Sequence, residues 1–263
     1  MKTIFETLCS AVHEAAAAIE SGDSSVARVK GAGGNYVTPD DETSQEIIIG
    51  RIAAEHSETA ILAEETEHQI ITKANWQTCP SLVIADPIDG TLNHAINIPF
   101  SAIMAAHYAY GKATCAVLYN RFARKLYTVL KLADGQWEMR IDGCIISRPT
   151  SRMLNRAIIG FNCGYGDDPK RNLPLMPKLL GHVAAVRMLG CTGIEMTFLA
   201  TGVFDGYVAA GSKPFDLGPT FPFLEAAGIE SQKWDGTKAT IWDSDFIAAS
   251  PKLLPKLHAL LFD

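Results

Sequence analysis

The stretch Ser81-Leu82-Val83-Ile84-Ala85-Asp86-Pro87-Ile88-Asp89-Gly90-Thr91 restricts what this chain can fold into more than any other. Residues 81–85 form a short apolar run of the kind that makes a buried strand, so two carboxylates three residues apart, Asp86 and Asp89, leave its carboxyl end. Pro87 fixes one backbone dihedral, Gly90 permits a tight turn, and Thr91 opens a segment whose free N–H groups can face an anion. Carboxylates beside an anion cradle are compatible when hard cations lie between them, and ligands that are all oxygen suit Mg²⁺. An ordinary turn with a helix cap uses the same residues, so the pentapeptide alone divides evenly between scaffold and chemistry.

Around that stretch the periodicities define an α+β order. Ile4, Leu8, Ala11, Val12, Ala15 and Ile19 recur at helical spacing over Thr3–Glu20, with Gly22 as a stop. The glycine-dense segment Lys30–Tyr36 reads as a mobile loop, and it lacks the Gly-Lys-Ser/Thr ending of a nucleotide-binding P-loop. Asp41 starts a helical run through Ile47, Ile48 and Ile52, and either it or Asp40 suits a cap as well as a chemical role. Ala60–Ala63 is a brief strand that again ends in carboxylates, Glu64 and Glu65. Residues 101–109, 113–119 and 125–130 read as antiparallel strands, completed by a hairpin around Ala133-Asp134-Gly135.

Turn residues cluster from about residue 144 and around Arg148-Pro149-Thr150, which divides the expected chain into subdomains 1–143 and 144–263. In the second part, 157–161 reads as a strand, 167–169 as a loop, and 194–201 as a helix entered through Gly190-Cys191-Thr192. Asp216 reads as the cap of a helix with Pro219 in its first turn, 240–250 as a final strand and 251–262 as a closing helix.

With 263 residues, 48% of them hydrophobic, the chain can fill a real core. Six cysteines without a C-x-x-C pair fit reduced thiols used as small core residues. A formal charge of −6 argues against a nucleic-acid partner and implies that an anionic substrate would need recruited cations. No apolar run reaches signal-peptide or membrane-spanning length, so a cytoplasmic chain without membrane contact is expected.

Residues 86–91, followed by Asn93 and by Pro99-Phe100, resemble the first signature of the inositol monophosphatase family. That family belongs to a larger group of metal-dependent, lithium-sensitive phosphatases that includes the fructose-1,6-bisphosphatases. Lys213-Pro214-Phe215-Asp216-Leu217-Gly218 resembles its second signature, with Phe215 in place of tryptophan. Val37–Asp41, Ala63-Glu64-Glu65, Arg187–Thr192 and Leu199–Ala209 follow the family as well. The departures are Ala63 for a glycine, Cys191 and Thr192 for a small hydroxyl residue and alanine, and Ala209 where inositol-specific members often carry a glutamate.

The resemblance implies an α-β-α-β-α layered sandwich, as in inositol monophosphatases and fructose-1,6-bisphosphatases, and a homodimer. It implies one cation on Glu64, Asp86 and the Ile88 carbonyl, a second on Asp86, Asp89 and Asp216, and a weaker third reached from Glu64 through water. Mg²⁺ is the expected ion, Mn²⁺ a substitute, and Ca²⁺ and Li⁺ inhibitors. Asp41, Glu64 and Thr91 take catalytic roles by the same carry-over, with the choice between Asp40 and Asp41 open by one residue. Asp89, Gly90, Thr91, Gly190, Cys191, Thr192 and Asp216 would touch substrate. The implied reaction is direct attack of metal-bound water on a small phosphorylated metabolite, inositol-1-phosphate or a similar polyol phosphate. Histidinol phosphate, fructose-1,6-bisphosphate and 3′-phosphonucleotides are the alternatives within the class, and a binding or regulatory protein on the same fold is the alternative outside it.

Overall fold

A computed structural model describes residues 2–20, 22, 24–25, 28–30, 35–65, 71–147, 150–164 and 168–263. Of the expected mobile loop Lys30–Tyr36, residues 31–34 lie outside the described residues, while Lys30 ends one short strand and Asn35 and Tyr36 begin the next, the two pairing antiparallel. Residues 148–149 of the expected turn and Asp167 also lie outside them, and 168–169 of the expected loop 167–169 open a helix instead. In chain order the helices are α1 (Ile4–Ala18), α2 (Pro39–Glu55), α3 (Thr91–Ala95), α4 (Asp168–Asn172), α5 (Met176–Leu179), α6 (Thr192–Ala200), α7 (Pro214–Ala226) and α8 (Leu254–Phe262). The strands are β1 (Arg28–Lys30), β2 (Asn35–Val37), β3 (Ala60–Ala63), β4 (Leu82–Asp89), β5 (Ala102–Ala109), β6 (Lys112–Asn120), β7 (Lys125–Lys131), β8 (Trp137–Ile141), β9 (Cys144–Ile146), β10 (Ile158–Asn162), β11 (Ala185–Arg187), β12 (Gly206–Ala209), β13 (Glu230–Lys233) and β14 (Phe246–Ala249).

Seven strands, β3 to β9 in sequence order, make the first sheet, antiparallel except for the β3–β4 pair. The second sheet runs β11-β10-β12-β14-β13 and is mixed. Alternation along the strands decides which layer each residue joins. Val83, Ala85, Ile103 and Val117 pack under Leu8 and Val12 of α1 and Ile48 and Ile52 of α2. Ile84, Met104 and Leu118, on the opposite face, pack with Ile194 of α6 and Leu217 of α7, which also meet Tyr207 and Phe246 of the second sheet. Ile159, Phe161, Val208 and Ile247 close the far side against Leu179, Leu257 and Leu261. Three clusters separated by two sheets constitute the α-β-α-β-α sandwich.

Several local expectations are corrected. β4 does not end at Ala85 but continues through Asp89, and one extra residue between Asp86 and Asp89 is taken up as a bulge against β5. That bulge is what admits Pro87 to a central strand, and the Pro87 carbonyl accepts a hydrogen bond from Ser44 Oγ at 2.7 Å instead. The cap of α2 is Thr38, with Asp41 three residues in, so neither Asp40 nor Asp41 is the cap. Cys144–Ile146, on the far side of the expected division at 144, is the edge strand of the first sheet. Only Phe246–Ala249 of the expected strand 240–250 is extended, and α8 starts at Leu254 rather than at 251.

In α7 the first-turn proline is Pro214, while Pro219 and Pro222 sit inside the helix. Pro222 has no N–H for the carbonyl four residues back, that of Gly218. The buried Tyr108 hydroxyl of β5 donates to that carbonyl at 2.7 Å. Tyr108→Phe is therefore expected to cost about 1–3 kcal/mol, the penalty of leaving a buried carbonyl unpaired. Urea unfolding checks this, and an unchanged midpoint would show that the carbonyl finds another donor.

Candidate active site

Four carboxylates from three elements of the chain converge. Asp86 and Asp89 lie on either side of the β4 bulge, Glu64 follows β3, the parallel neighbour of β4, and Asp216 comes from the first turn of α7. One oxygen each of Asp86, Asp89 and Asp216 lies within 4.8 Å of the others. Glu64 joins them on the wall of a cavity of about 100 Å³, together with Ile88, Gly90, Thr91, Gly190 and Thr192. Among the described residues lining it, Lys213 is the one basic side chain.

Asp216 and Asp89 are held from behind. Asp216 accepts from the Lys213 N–H at 2.7 Å. Asp89 faces the amino end of α6, where Thr192 N donates at 3.2 Å, Cys191 Sγ at 2.9 Å, and Gly193 N completes the set. A Cβ at Gly193 would come within 3.0 Å of Asp89 Oδ2 and 2.8 Å of Leu118, so the approach of α6 requires glycine there. Asp86 differs, because its Oδ1 is buried with no hydrogen-bond partner.

Burial and then the neighbouring Glu64, Asp89 and Asp216 charges push the Asp86 carboxyl well above its ordinary range. Asp216 is raised for the same reasons, burial first and then Asp89 and Glu64. A buried cluster of like charges with an orphaned oxygen is costly by itself, and divalent cations satisfy both defects at once. The donor set is entirely oxygen, so the residues fit hard cations.

Beside the cluster stands the second element of the site. Gly90, at φ 80°, turns the chain into α3, and Thr91 Oγ1 lies 3.0 Å from Asp41 Oδ1 and 2.9 Å from the Ile88 carbonyl. Asp41 Oδ2 accepts from Thr38 N at 2.7 Å and Thr38 Oγ1 at 2.5 Å. The adjacent Asp40 points elsewhere, to His94 Nε2 at 2.8 Å. Burial, only partly offset by the Thr38 and Thr91 bonds, raises Asp41 to about 6. Its protonated form thus dominates below that pH, and a proton acceptor there is lost as pH falls. Cations nearby lower the value, so kcat is expected to fall on the acid side with an apparent pKa at or below 6, a pH–rate profile being the check.

The cavity brings together Glu64, Asp86, Ile88, Asp89, Gly90, Thr91, Gly190, Thr192 and Asp216, all expected from sequence. Cys191 is 1% exposed and does not line it; the thiol touches Asp89 instead. Sequence reasoning missed Asn162, whose Nδ2 bonds Thr192 Oγ1 at 3.2 Å, and Glu195. Buried Glu195, pushed up to about 8 by burial, accepts from Leu189 N at 2.8 Å and Tyr207 Oη at 3.1 Å and so fixes the segment that delivers Gly190. No local pattern marks either residue.

A five-layer sandwich with buried carboxylates meeting beside a threonine–aspartate pair is the architecture of a metal-dependent phosphoric monoester hydrolase. The sequence profile described as the inositol monophosphatase family matches residues 1–262, and the chain belongs to that family. The inositol monophosphatase of Dictyostelium discoideum is 28% identical over 234 residues, covering 87% of this chain and 83% of its own. The Nus factor SuhB of Salmonella typhimurium is 24% identical over 246 residues, covering 93% and 88%. Among solved structures, an inositol monophosphatase/NADP phosphatase complexed with NADP and Ca²⁺ superposes with a TM-score of 0.85 at 24% identity, covering 99% of this chain and 97% of that one. Among the described residues no helix is long and apolar enough to cross a membrane.

Proposed function

We propose that the chain hydrolyses a small phosphomonoester with Mg²⁺, the substrate being inositol-1-phosphate or a similar polyol phosphate. The observation that carries the reading is the orphaned Asp86 Oδ1 within the carboxylate cluster, next to the Thr91–Asp41 pair. Glu64, Asp86 and the Ile88 carbonyl would hold one ion, and Asp86, Asp89 and Asp216 another. When bound, such ions supply positive charge to the phosphoryl oxygens and lower the pKa of water.

The chain's own groups do the rest. Thr91 Oγ1 has one hydrogen and two nearby acceptors, Asp41 and Ile88 O, so its lone pair is open to a proton from the attacking water while its own proton passes to Asp41. The Gly90 and Thr91 N–H groups orient the phosphate. Gly190, Thr192 and Asn162 form the wall that would meet the alcohol part of the substrate. No phosphoenzyme is needed.

Ala209 is fully buried and offers no carboxylate to a sugar hydroxyl, which favours a second reading in which the alcohol is a nucleotide rather than inositol. The NADP complex of the structural relative supports the same alternative. Phosphate release from inositol-1-phosphate, histidinol phosphate, fructose-1,6-bisphosphate, NADP and a 3′-phosphonucleotide, at fixed Mg²⁺, separates them. Release from none, with Mg²⁺ bound, would favour the binding role that the SuhB relative's name suggests. Sedimentation checks the homodimer implied by the family.

A further inference from the structure

Residues 188–191, between β11 and α6, belong to neither a helix nor a strand, yet they deliver Gly190 to the wall of the carboxylate cavity. Segments of this kind drift unless their peptide groups are bonded. No main-chain donor among the described residues reaches the Leu189 or Gly190 carbonyl. Side chains hold them instead.

Asn93, two residues past Thr91 in α3 and buried, is the first of these. Its Nδ2 donates to the Leu189 carbonyl at 2.7 Å, lies 3.2 Å from the Gly190 carbonyl, and donates to the Phe100 carbonyl at 2.9 Å. An amide oxygen turned toward three carbonyls would find no donor, so the orientation of the side chain is fixed. Glu195 of α6 is the second: its Oε1 accepts from Leu189 N at 2.8 Å, and the Tyr207 hydroxyl holds its Oε2 at 3.1 Å. Leu189 is thus gripped at its N–H from one helix and at its carbonyl from another.

That grip brings two glycine turns together. A Cβ on Gly90 would stand 3.2 Å from both the Gly190 carbonyl oxygen and Cys191 Cβ, and one on Gly190, at φ 70°, would stand 3.3 Å from Asn93 Nδ2. Gly90 lies on the side proposed to cradle the phosphate, and Gly190 and Thr192 on the side that would meet the alcohol. The two sides depend on Asn93 unequally. Thr91 has its own bonds to Asp41 and the Ile88 carbonyl, and Thr192 N has Asp89, whereas the Leu189 and Gly190 carbonyls have Asn93.

We infer that Asn93 and Glu195 are positioning residues that set the distance between the phosphate cradle and the alcohol-side wall, and so decide how tightly the alcohol part of the substrate is held. The inference rests on the hydrolytic reading above. Neither side chain touches a reacting atom. A contact with the alcohol part is made equally in the ground and transition states, so its loss raises KM and leaves kcat.

Wild type and Asn93→Ala are compared at fixed Mg²⁺ on inositol-1-phosphate, or on whichever substrate of the panel above the wild type hydrolyses fastest. Inorganic phosphate, which has no alcohol part, serves as competitive inhibitor. KM is expected to rise about tenfold or more while kcat and the phosphate inhibition constant stay within about twofold, since misplacing a contact by an ångström costs up to about a hundredfold. A variant that merely folds less completely would lower kcat at unchanged KM. Calorimetric titration with Mg²⁺, expected to match wild type, separates the effect from damage to the carboxylate cluster. Glu195→Ala, the second arm should Asn93→Ala not fold, is expected to raise KM in the same way. Glu195→Gln, which keeps an acceptor for Leu189 N, is expected to restore it. An unchanged KM, a phosphate inhibition constant that rises with KM, or a Glu195→Gln variant as impaired as Glu195→Ala overturns the inference alone. Phosphate release by the wild type from no substrate of the panel defeats the hydrolytic reading, and the inference with it.

Discussion

Asp89→Asn is expected to lower kcat/KM by about 10³-fold or more at saturating Mg²⁺, a loss of about 4 kcal/mol in transition-state stabilisation. The amide preserves the size of the side chain but not its charge, and the ion proposed for Asp86, Asp89 and Asp216 depends on that carboxylate. It also conflicts with its surroundings. One oxygen of Asp89 faces Thr192 N and the other faces Cys191 Sγ and Gly193 N, so an NH₂ in either orientation meets a donor. Loss of charge repulsion inside the cluster offsets that conflict, and the fold is expected to survive. Phosphate release alongside circular dichroism checks both parts; a folded variant with more than a tenth of wild-type turnover would remove Asp89 from the machinery.

The second large effect has opposite signs with and without metal. In EDTA, Asp86→Asn is expected to stabilise the protein, because it removes a buried charge whose Oδ1 has no partner and whose neighbours are Glu64, Asp89 and Asp216. In Mg²⁺ the wild type should overtake it. Ion at a hundred times its dissociation constant contributes about 2.7 kcal/mol per site, or roughly 5–10 °C in a chain of this size, and the variant should lose most of that gain.

The pH dependence follows the same logic. The folded pKa of Asp86 lies above its ordinary 3.8, so its contribution to metal-free stability is full below 3.8 and is lost as pH rises through the folded value. Metal-free protein should therefore melt higher on mild acidification and Mg²⁺-loaded protein lower. Melting curves that respond to Asp86→Asn in the same direction with and without Mg²⁺ would contradict a cation site at this cluster.

How much of this was legible beforehand depends on the range of the interaction. Alternating or continuous apolar runs marked β5, β6 and β7 within a residue or so, because burial on a sheet leaves a period in the sequence. The carboxylates were legible as a motif, and Thr38 with Asp41 as a capping pair could have been. β13, Glu-Ser-Gln-Lys, has no apolar alternation and exists only because β14 offers it an edge. Pro219 read as a first-turn proline, whereas it lies inside α7 with Pro222, and the Tyr108 hydroxyl that takes up the Gly218 carbonyl comes from 110 residues away. The Cys191 thiol on Asp89 and the chain Asp40–His94–Arg121 likewise join residues far apart in sequence, which no local window records.

The acidic residues of the site come from strands of one sheet and from helices lying on both sides of it, so none of the layers holds the cluster alone. In refolding, α7 and α6 must settle on β4 across separations of about a hundred residues before the cavity closes, and contacts of that range form slowly. Cation affinity should consequently appear as a late kinetic phase, after most backbone ellipticity has returned, which would make uptake of Mg²⁺ a stopped-flow reporter of layer docking.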